Sequence, residues 1–372
     1  MEIYLDNAAT TKISDEVLEE MLPYLKEFYG NASSVYSIGK KSKEAITLSR
    51  DLIAKKLNCK SKEIFFTSGG SEADNWAIKG SKLKSKHIIS TPIEHEAVLE
   101  TLDYMKSQGY EIEFLDVDKD GIVKIGSLKE KLRDDTALVS VMYANNEIGT
   151  IQPIEEIGEI LKNTDTLFHV DAVQALGAIK IDLKKLNVDM MSFSAHKIHG
   201  PKGVGALYIK DGTKINSLIN GGSQERNKRA GTENVAGIVG FAKAVEIAQE
   251  NVAERNKEIR NLRDNLLREL LKIDGVYLNG SIEKRLPGNI NVSIDGIDSN
   301  ILLMNLDMEG VMASIGSACN SGSINPSYVL KVIGRDDTLS KNSLRLTLNE
   351  ENSQEQISQA SAIIIESINS LR

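Results

Sequence analysis

The chain has 372 residues, enough for two domains or for one large domain with a smaller partner. Lys and Arg total 45 against 53 Asp and Glu, so the formal net charge is −8; with no run of basic residues, a nucleic-acid or membrane-surface binder is not expected. The hydrophobic fraction of 41% is ordinary for a globular protein, and apolar stretches such as 137–144 are too short to cross a bilayer. The first residues contain acids where a signal peptide needs a basic start, so we expect a cytoplasmic protein.

Helical and strand-like segments alternate over the first 250 residues. Amphipathic helices are predicted at 14–29 and 44–57, and a strand at 63–67 runs into a Gly/Ser loop and a helix at 72–79. Further strands are predicted at 87–90, 111–115, 137–142, 167–170, 190–194 and 205–209. This alternation predicts an α/β fold with a mainly parallel sheet that is covered by helices on both faces.

The pattern changes after about residue 250. A long amphipathic helix is predicted at 251–273, and shorter elements follow at 276–278, 289–294, 299–309, 343–348 and 353–368. This order is typical of an α+β unit. We therefore predict a large domain over 13–250 and a small domain formed by 1–12 and 251–372.

Two predicted strands end near groups that suit pyridoxal-phosphate chemistry. The strand at 167–170 leads to Asp171, and the strand at 190–194 leads to Lys197. In open α/β sheets, ligands bind beyond the carboxyl ends of the strands. A lysine can form a Schiff base with an aldehyde cofactor, and a carboxylate can keep a pyridine nitrogen protonated. The structural alternative is a helix-capping Asp171 and a solvated Lys197.

Other positions have both a chemical and a structural interpretation. Ser68-Gly69-Gly70-Ser71 offers backbone amides and hydroxyls to a phosphate, although a loop of this kind is more often only a turn. His95 could stack on a flat ring and move protons, or simply begin a helix. Arg345 could bind a substrate carboxylate or lie on the surface of its strand, and spacing does not decide between these. His169, inside a strand, is expected to be a core or edge residue.

The chain has two cysteines, Cys59 and Cys319, so a disulfide framework and a cysteine-based zinc site are not expected, and we predict no metal site. Cys59 follows a predicted helix and is interpreted as inert. Cys319 lies among small residues between Gly316 and Gly322. Such a segment suits a thiol that must reach a substrate and then leave it.

The sequence resembles the cysteine desulfurases of the NifS/IscS type, which are pyridoxal-phosphate enzymes with the aspartate-aminotransferase fold. The resemblance covers nearly the whole chain, from Tyr4 to Arg345. Its most specific motifs are Leu5-Asp6-Asn7-Ala8-Ala9-Thr10-Thr11, Asn145-Asn146-Glu147-Ile148-Gly149, Ser194-Ala195-His196-Lys197, Gln224-Glu225-Arg226 and Gly316-Ser317-Ala318-Cys319. It implies a mainly parallel seven-stranded sheet in a large domain, a smaller α+β domain, and a homodimer with active sites at the subunit interface.

The resemblance also implies a role for each matching residue. Lys197 would hold the cofactor as a Schiff base and remove the α-proton of L-cysteine, and His95 would stack on the ring and transfer protons. Cys319 would attack the substrate sulfur and keep it as a persulfide, leaving L-alanine. The other residues would contact cofactor or substrate: Asp171 the ring nitrogen, Gln174 the ring hydroxyl, Gly70, Ser71, Ser194 and His196 the phosphate, Thr232 the phosphate in the second subunit, and Asn146 and Arg345 the substrate carboxylate.

The sequence departs from the family pattern at several positions. Ala32 and Tyr36 stand where Pro and His are usual, and Ser71, Ser223 and Ala230 stand for Thr, Gly and Ser. Ser71 keeps the hydroxyl that a phosphate needs. Residues 346–372 form a short end for this family, so the sulfur acceptor, an iron–sulfur scaffold or a tRNA-thiolation protein, is left open.

Other functions of the same fold are open to comparison with these residues. A selenocysteine lyase acts on a substrate of the same shape and charge, so the sequence does not separate it from a cysteine desulfurase. An aminotransferase has no use for Cys319. A non-catalytic homologue is expected to lack Lys197, Asp171 or Cys319, and all of them are present.

Overall fold

The computed structural model describes residues 2–316 and 326–372. The strands are β1 (Ile3–Tyr4), β2 (Ile64–Thr67), β3 (His87–Ser90), β4 (Glu111–Phe114), β5 (Thr136–Ser140), β6 (Leu167–Asp171), β7 (Met190–Ser194), β8 (Gly205–Ile209), β9 (Val276–Leu278), β10 (Asn289–Ile294), β11 (Val311–Met312) and β12 (Ser343–Thr347). The helices are α1 (Asp15–Lys26), α2 (Ser37–Leu57), α3 (Gly70–Gly80), α4 (Glu96–Ser107), α5 (Ile125–Lys131), α6 (Ile154–Leu161), α7 (Gln224–Asn227), α8 (Val235–Ala248), α9 (Val252–Leu270), α10 (Ser299–Met308), α11 (Tyr328–Val332), α12 (Asp337–Lys341) and α13 (Gln354–Ser370).

A seven-stranded sheet with the order β2-β8-β7-β6-β5-β3-β4 forms the centre of the larger part of the chain. The strands from β7 to β4 run parallel, whereas β8 is antiparallel to both β2 and β7. Most of these strands are buried on both faces, which is why they read as continuous apolar runs in the sequence. The predicted α/β fold with a mainly parallel seven-stranded sheet is confirmed.

Most predicted elements are present within a few residues of their expected bounds, but α2 begins at Ser37 rather than at Glu44. Its extra turns have a buried face made of Gly39 and Ser42 instead of large apolar side chains. A Cβ at Gly39 would lie 2.6 Å from the carbonyl oxygen of Asn31, so close backbone packing requires the glycine. A search for apolar periodicity does not detect such a face.

The smaller part of the chain has its own sheets and core. The antiparallel sheet β12-β10-β9 and the parallel pair β1-β11 lie here. One buried cluster combines Ile3 and Leu5 with residues from Ile259 to Ile368, while the largest cluster extends from Val17 to Ala248. This partition supports the predicted domains 13–250 and 1–12 with 251–372, a division that stays a prediction.

The topology brings the ends of several elements to one place. The carboxyl ends of β3, β5, β6 and β7 face the small antiparallel sheet, from which β12 contributes Arg345. The segment after β1 lies between them, because Ala8 and Thr11 hydrogen-bond to residues of both parts. None of the helices in the described ranges combines the length and the apolar character that a membrane span requires.

Candidate active site

A cleft of about 130 Å³ lies where the strand ends meet the small sheet. Four residues predicted from the sequence line it together: His95, Asn146, Lys197 and Arg345. The rest of its lining is Ala8, Ala9, Glu96, Glu147, Gly316 and Tyr328. Residues that are up to about 340 positions apart in the chain therefore form one site.

Lys197 lies in a short helical turn directly after β7. Its Nζ donates hydrogen bonds to the carbonyl oxygens of Ala8 and Ala9, the second at 2.7 Å. Both carbonyls belong to the motif at residues 5–11. The motif at residues 5–11 is thus in direct contact with Lys197, and its two carbonyl groups fix the position of the amine.

Asp171 ends β6 and is 6% exposed. Its Oδ1 accepts a hydrogen bond of 2.9 Å from the backbone N–H of Val173. Burial raises the pKa of the Asp171 carboxyl, while the proximity of His95, the Val173 N–H and Lys197 acts in the opposite direction. A carboxylate in such dry surroundings is a strong partner for a cationic nitrogen.

A buried polar network lies beneath Asp171. The fully buried His169 is 2.9 Å from the hydroxyls of both Ser140 and Ser192, and burial lowers its pKa to about 3. Asp74 of α3 is also buried, and its Oδ1 is 3.6 Å from His169 Nε2. Burial raises the pKa of Asp74 well above its usual value, and the nearby charge of Asp171 is the second cause of this increase. The low pKa keeps His169 neutral near pH 7, and burial beside Asp171 disfavours the charged form of Asp74.

His95 combines both interpretations of its sequence position. It caps α4, because its Nδ1 accepts a hydrogen bond of 3.0 Å from the N–H of Ala97, and it also lines the cleft. With Nδ1 as acceptor, the neutral ring carries its proton on Nε2. The adjacent Glu94 is fully buried, accepts hydrogen bonds from Thr91 and Met142, and has its pKa raised to about 8 by burial.

The predicted phosphate site lies at the start of α3. Gly70 begins this helix directly after β2, and a Cβ there would lie 2.7 Å from Cγ2 of Val173, so the backbone approach requires glycine. Ser194 ends β7, which β8 separates from β2 in the sheet. The Oγ of Ser194 would lie 3.7 Å from a Cβ built on Gly69. His196 Nδ1 lies 3.1 Å from Thr10 Oγ1, and burial lowers its pKa to about 4. An uncharged imidazole can still donate to a phosphate through one ring nitrogen.

Arg345 is a buried residue, 2% exposed, so the interpretation as a surface arginine is wrong. Its Nη2 donates to Asp6 Oδ1 at 2.8 Å, and its Nη1 donates to the carbonyl oxygen of Asn146 at 3.2 Å. Its Nε is buried without a hydrogen-bond partner among the described residues. The guanidinium is thus oriented by Asp6 and keeps a donor for a carboxylate.

The remaining predicted residues lie around the cleft or away from it. Gln174 donates to the carbonyl oxygen of Ala8 at 2.9 Å and lines a neighbouring cavity of about 300 Å³ together with Lys197. Ser71 is in the first turn of α3. Thr232 is exposed and is not part of the cleft lining that the described residues provide. Cys319, the predicted nucleophile, lies outside the described residues.

Cys59 has the environment of a structural cysteine. It follows α2, lies against the core of the larger part and is only partly exposed. Burial raises the pKa of its thiol to about 12, and the nearby charge of Glu63 makes a smaller contribution to this increase. Such a thiol is almost entirely protonated at neutral pH, and a protonated thiol is a poor nucleophile.

The donor set fits pyridoxal phosphate. An amine, a buried carboxyl group and an imidazole converge from Lys197, Asp171 and His95, and the start of α3 adds backbone amides and the Ser71 hydroxyl. These groups are the ones needed to bind an aldehyde, a pyridine nitrogen, an aromatic ring and a phosphate.

Sequence analysis did not single out every residue of the site. Asp6 and Glu147 lie inside quoted motifs, but no role was attached to them. Tyr328 and Asp74 have no local sequence signal. Tyr328 donates to the carbonyl oxygen of Glu94, and Asp74 occupies an ordinary helical position.

Comparisons with known proteins place the chain in a family. The family model of the class-V aminotransferases matches residues 3–359. A cysteine desulfurase IscS of Clostridium botulinum (strain Hall) is 52% identical over 96% of this chain and 91% of its own length. The cysteine desulfurase IscS of Methanosarcina thermophila is 50% identical over 100% of this chain and 93% of its own length.

Solved structures agree. A structure described as a NifS-like protein superposes with a TM-score of 0.94 at 41% identity, covering 100% of both chains. A NifS-like protein from Rickettsia africae superposes with a TM-score of 0.90 at 32% identity, covering 99% of this chain and 100% of the other. The chain therefore belongs to the class-V aminotransferase family, which is PLP-dependent, and within it to the cysteine desulfurases of the NifS/IscS type.

Proposed function

We propose that this cysteine desulfurase converts L-cysteine to L-alanine with pyridoxal phosphate bound in the cleft, and that Lys197 holds the cofactor. The observation that carries the proposal is the convergence of Lys197, His95, Asn146 and Arg345 on one cleft beside the buried Asp171. Bound there, pyridoxal phosphate supplies an aldehyde for the substrate amine and a ring that accepts electrons from the α-carbon.

The residues of the cleft divide the remaining work. Arg345 binds the substrate carboxylate with the donor that Asp6 leaves available, and Asn146 lies beside it. The Lys197 amine would take the α-proton of the substrate and later return a proton. Asp171 stabilises a protonated ring nitrogen, and His95 carries a proton at Nε2 that it can donate to the substrate.

Sulfur transfer is assigned to Cys319 on the strength of the family resemblance. Its thiolate attacks the sulfur of the substrate, the bond between that sulfur and the substrate Cβ breaks, and the electron pair stays on the carbon fragment, which is protonated to L-alanine. Cys319 gains one sulfur atom as a persulfide. An acceptor protein, an iron–sulfur scaffold or a tRNA-thiolation protein, then removes this sulfur.

One assay tests this function. The cofactor-loaded protein is mixed with L-cysteine and a thiol reductant, and L-alanine and sulfide are quantified together. We expect equal amounts of both products over many turnovers. Formation of a keto acid without sulfide would instead indicate an aminotransferase. Selenocysteine offered at the same concentration tests the lyase alternative, which requires a marked preference for selenium.

We further propose a homodimer in which Thr232 of each subunit completes the phosphate site of the other. Thr232 is exposed in its own chain. The outer face of α1 also exposes Leu18, Leu22 and Leu25, spaced along one side of the helix, as a subunit interface would. Mixing Lys197→Ala chains with Thr232→Ala chains should restore activity, because one of the two mixed sites then has both residues. If each variant stays inactive in the mixture, the arrangement is wrong.

A further inference from the structure

We propose that Glu147 is a positioning residue that ties Gly316 and Ser327 to the wall of the cleft and thereby supports sulfur transfer without taking part in α-proton removal. Residues 317–325, with Cys319 among them, run between these two points in the sequence. The proposal rests on the proposed function, and its test includes a measurement that does not depend on activity.

One oxygen of Glu147 is close to both residues. Ser327 Oγ donates a hydrogen bond of 2.5 Å to Glu147 Oε2. A Cβ on Gly316 would lie 2.6 Å from the same Oε2, so the carboxyl group packs closely against this glycine, whose N–H also donates to Ser343 Oγ at 3.5 Å. The carboxyl group therefore lies against the last described residue on one side of 317–325 and close to the first on the other side.

The backbone of Glu147 is itself firmly held. Its N–H donates to Asn145 Oδ1 at 2.8 Å. Its carbonyl oxygen accepts hydrogen bonds from the side-chain amides of Asn289 at 3.1 Å and Asn291 at 3.2 Å, both on β10. Glu147 is 2% exposed. A contact made to this residue is consequently a contact to a rigid part of the fold.

Ser327 connects Glu147 to the next helix. The Ser327 Oγ accepts a hydrogen bond of 3.1 Å from the N–H of Leu330 and so caps α11. The same hydroxyl donates its own hydrogen bond to Glu147. Loss of the Glu147 carboxyl would leave this buried hydroxyl without its acceptor. The expected consequence is a loosened start of α11 and a loosened position of Gly316.

The surroundings of Glu147 shift the pKa of its carboxyl group in both directions. Burial raises its pKa to about 6, Arg345 opposes this shift, and Glu96 adds to it. His95 and Lys197 line the same cleft. Glu147 is therefore mostly ionised above pH 7, which makes it a strong acceptor for the Ser327 hydroxyl. Because the Glu147 carboxylate accepts a hydrogen bond from Ser327, we expect it to hold Ser327 and Gly316 in place rather than to transfer a proton.

The test compares two reactions of one protein. Exchange of the α-proton of L-alanine needs the cofactor and Lys197 but no sulfur chemistry, whereas persulfide formation from L-cysteine needs both. Glu147→Ala should keep α-proton exchange within about threefold and reduce single-turnover persulfide formation by about 10- to 100-fold, since small misplacements cost this much. Ser327→Ala should change the same ratio in the same direction by a smaller factor.

Glu63→Gln is the matched control, because Glu63 is a buried carboxylate that accepts backbone hydrogen bonds at the opposite end of β2. It should leave the ratio of the two reactions unchanged. Equal loss of both reactions in Glu147→Ala would indicate a merely structural role, and full persulfide formation would indicate no role. Either result overturns the proposal.

Hydrogen exchange of the cofactor-free protein gives the independent measurement. In Glu147→Ala, amides of Gly316 and of residues 327–332 should exchange about tenfold faster, while those of β6 should not change. Unchanged exchange at these residues overturns the proposal even where the desulfurase activity itself is intact. Failure of the unmodified protein to form a persulfide would instead reject the proposed function. The amide hydrogen-exchange result would still decide whether Glu147 holds Gly316 and residues 327–332.

Discussion

The two walls of the cleft are built in different ways. One wall is formed by His95, Asp171 and Lys197, which lie at or after the carboxyl ends of the parallel strands β3, β6 and β7, with buried polar residues beneath Asp171. The other wall is formed by Arg345, Gly316 and Tyr328 from the smaller part of the chain. The N-terminal segment joins them, since Ala8 and Ala9 accept from Lys197 while Asp6 pairs with Arg345.

This difference indicates a division of labour. The sheet wall has the amine, the carboxyl group and the imidazole to which we assign the proton transfers, in surroundings fixed by parallel strands. The opposite wall has the guanidinium that we propose binds the substrate carboxylate, and it includes Gly316, which precedes the segment with Cys319 in the sequence. Changes on the sheet wall should therefore stop all chemistry, whereas changes on the opposite wall should affect substrate binding or sulfur transfer alone.

The largest effect is expected from Lys197→Ala. Without the amine, the cofactor has no covalent attachment and the α-proton has no acceptor, so turnover should fall below detection. After borohydride treatment, mass spectrometry should find no pyridoxal on the variant. Lys202→Ala, an exposed neighbour, should behave like the parent. Covalent labelling and turnover in Lys197→Ala would show that another residue holds the cofactor.

Asp171→Asn should have the next largest effect. An amide cannot stabilise a protonated ring nitrogen as a carboxylate does, so α-proton exchange should slow by at least about 100-fold while cofactor binding weakens much less. Asp74→Asn is the matched control: burial raises the pKa of Asp74 well above its usual value and so disfavours its charged form, and the same amide substitution there should slow exchange far less. Similar α-proton exchange rates in the two variants would contradict the ring-nitrogen role proposed for Asp171.

Sequence reasoning succeeded on the sheet wall for a physical reason. Parallel strands deliver the residues after their carboxyl ends to one edge, so Asp171 and Lys197 could be placed together from the order of elements alone. The opposite wall depends on contacts between distant residues, such as Asp6 with Arg345, 339 positions apart. No local pattern encodes such a pair, so spacing left Arg345 undecided and gave no role to Glu147. The same limit hid the small-residue face at the start of α2.

Arg345→Lys tests the opposite wall. Lysine keeps the positive charge, but its ammonium lacks the planar set of donors of a guanidinium. It therefore cannot keep the hydrogen bonds to Asp6 and Asn146 and bind a substrate carboxylate at the same time. Loss of one charged hydrogen bond should raise KM for L-cysteine about 10- to 100-fold, with a smaller change in kcat. Arg335→Lys, also in the smaller part of the chain but hydrogen-bonded to Asn279 instead of lining the cleft, should leave KM unchanged. A fall in kcat with unchanged KM would place Arg345 in a catalytic step instead.

Glu94→Gln should change the pH dependence of stability of the cofactor-free protein. Burial raises the pKa of Glu94 to about 8, so the folded state holds this proton at pH values where the unfolded state has released it. Stability contributed by this group is therefore lost as the pH rises from about 5 to 8. The unfolding free energy of the parent should fall across this window by up to about 4 kcal/mol more than that of Glu94→Gln. Urea denaturation at several pH values measures this, with Glu254→Gln on the exposed face of α9 as the control.

The smallest effect is expected at Cys59, and it separates the two cysteines. A thiol pKa of about 12 gives Cys59 roughly 1000-fold less thiolate at pH 8 than a thiol of ordinary pKa would have. Iodoacetamide at pH 8 should consequently label Cys319 while Cys59 stays unmodified in the folded protein, as peptide mapping can show. Cys59→Ala should keep full alanine production, whereas Cys319→Ala should keep α-proton exchange and lose alanine and persulfide. Isotopic sulfur from L-cysteine should then be found on the Cys319 peptide. Recovery of that sulfur on the Cys59 peptide would contradict both the inert interpretation of Cys59 and the proposed path of the sulfur.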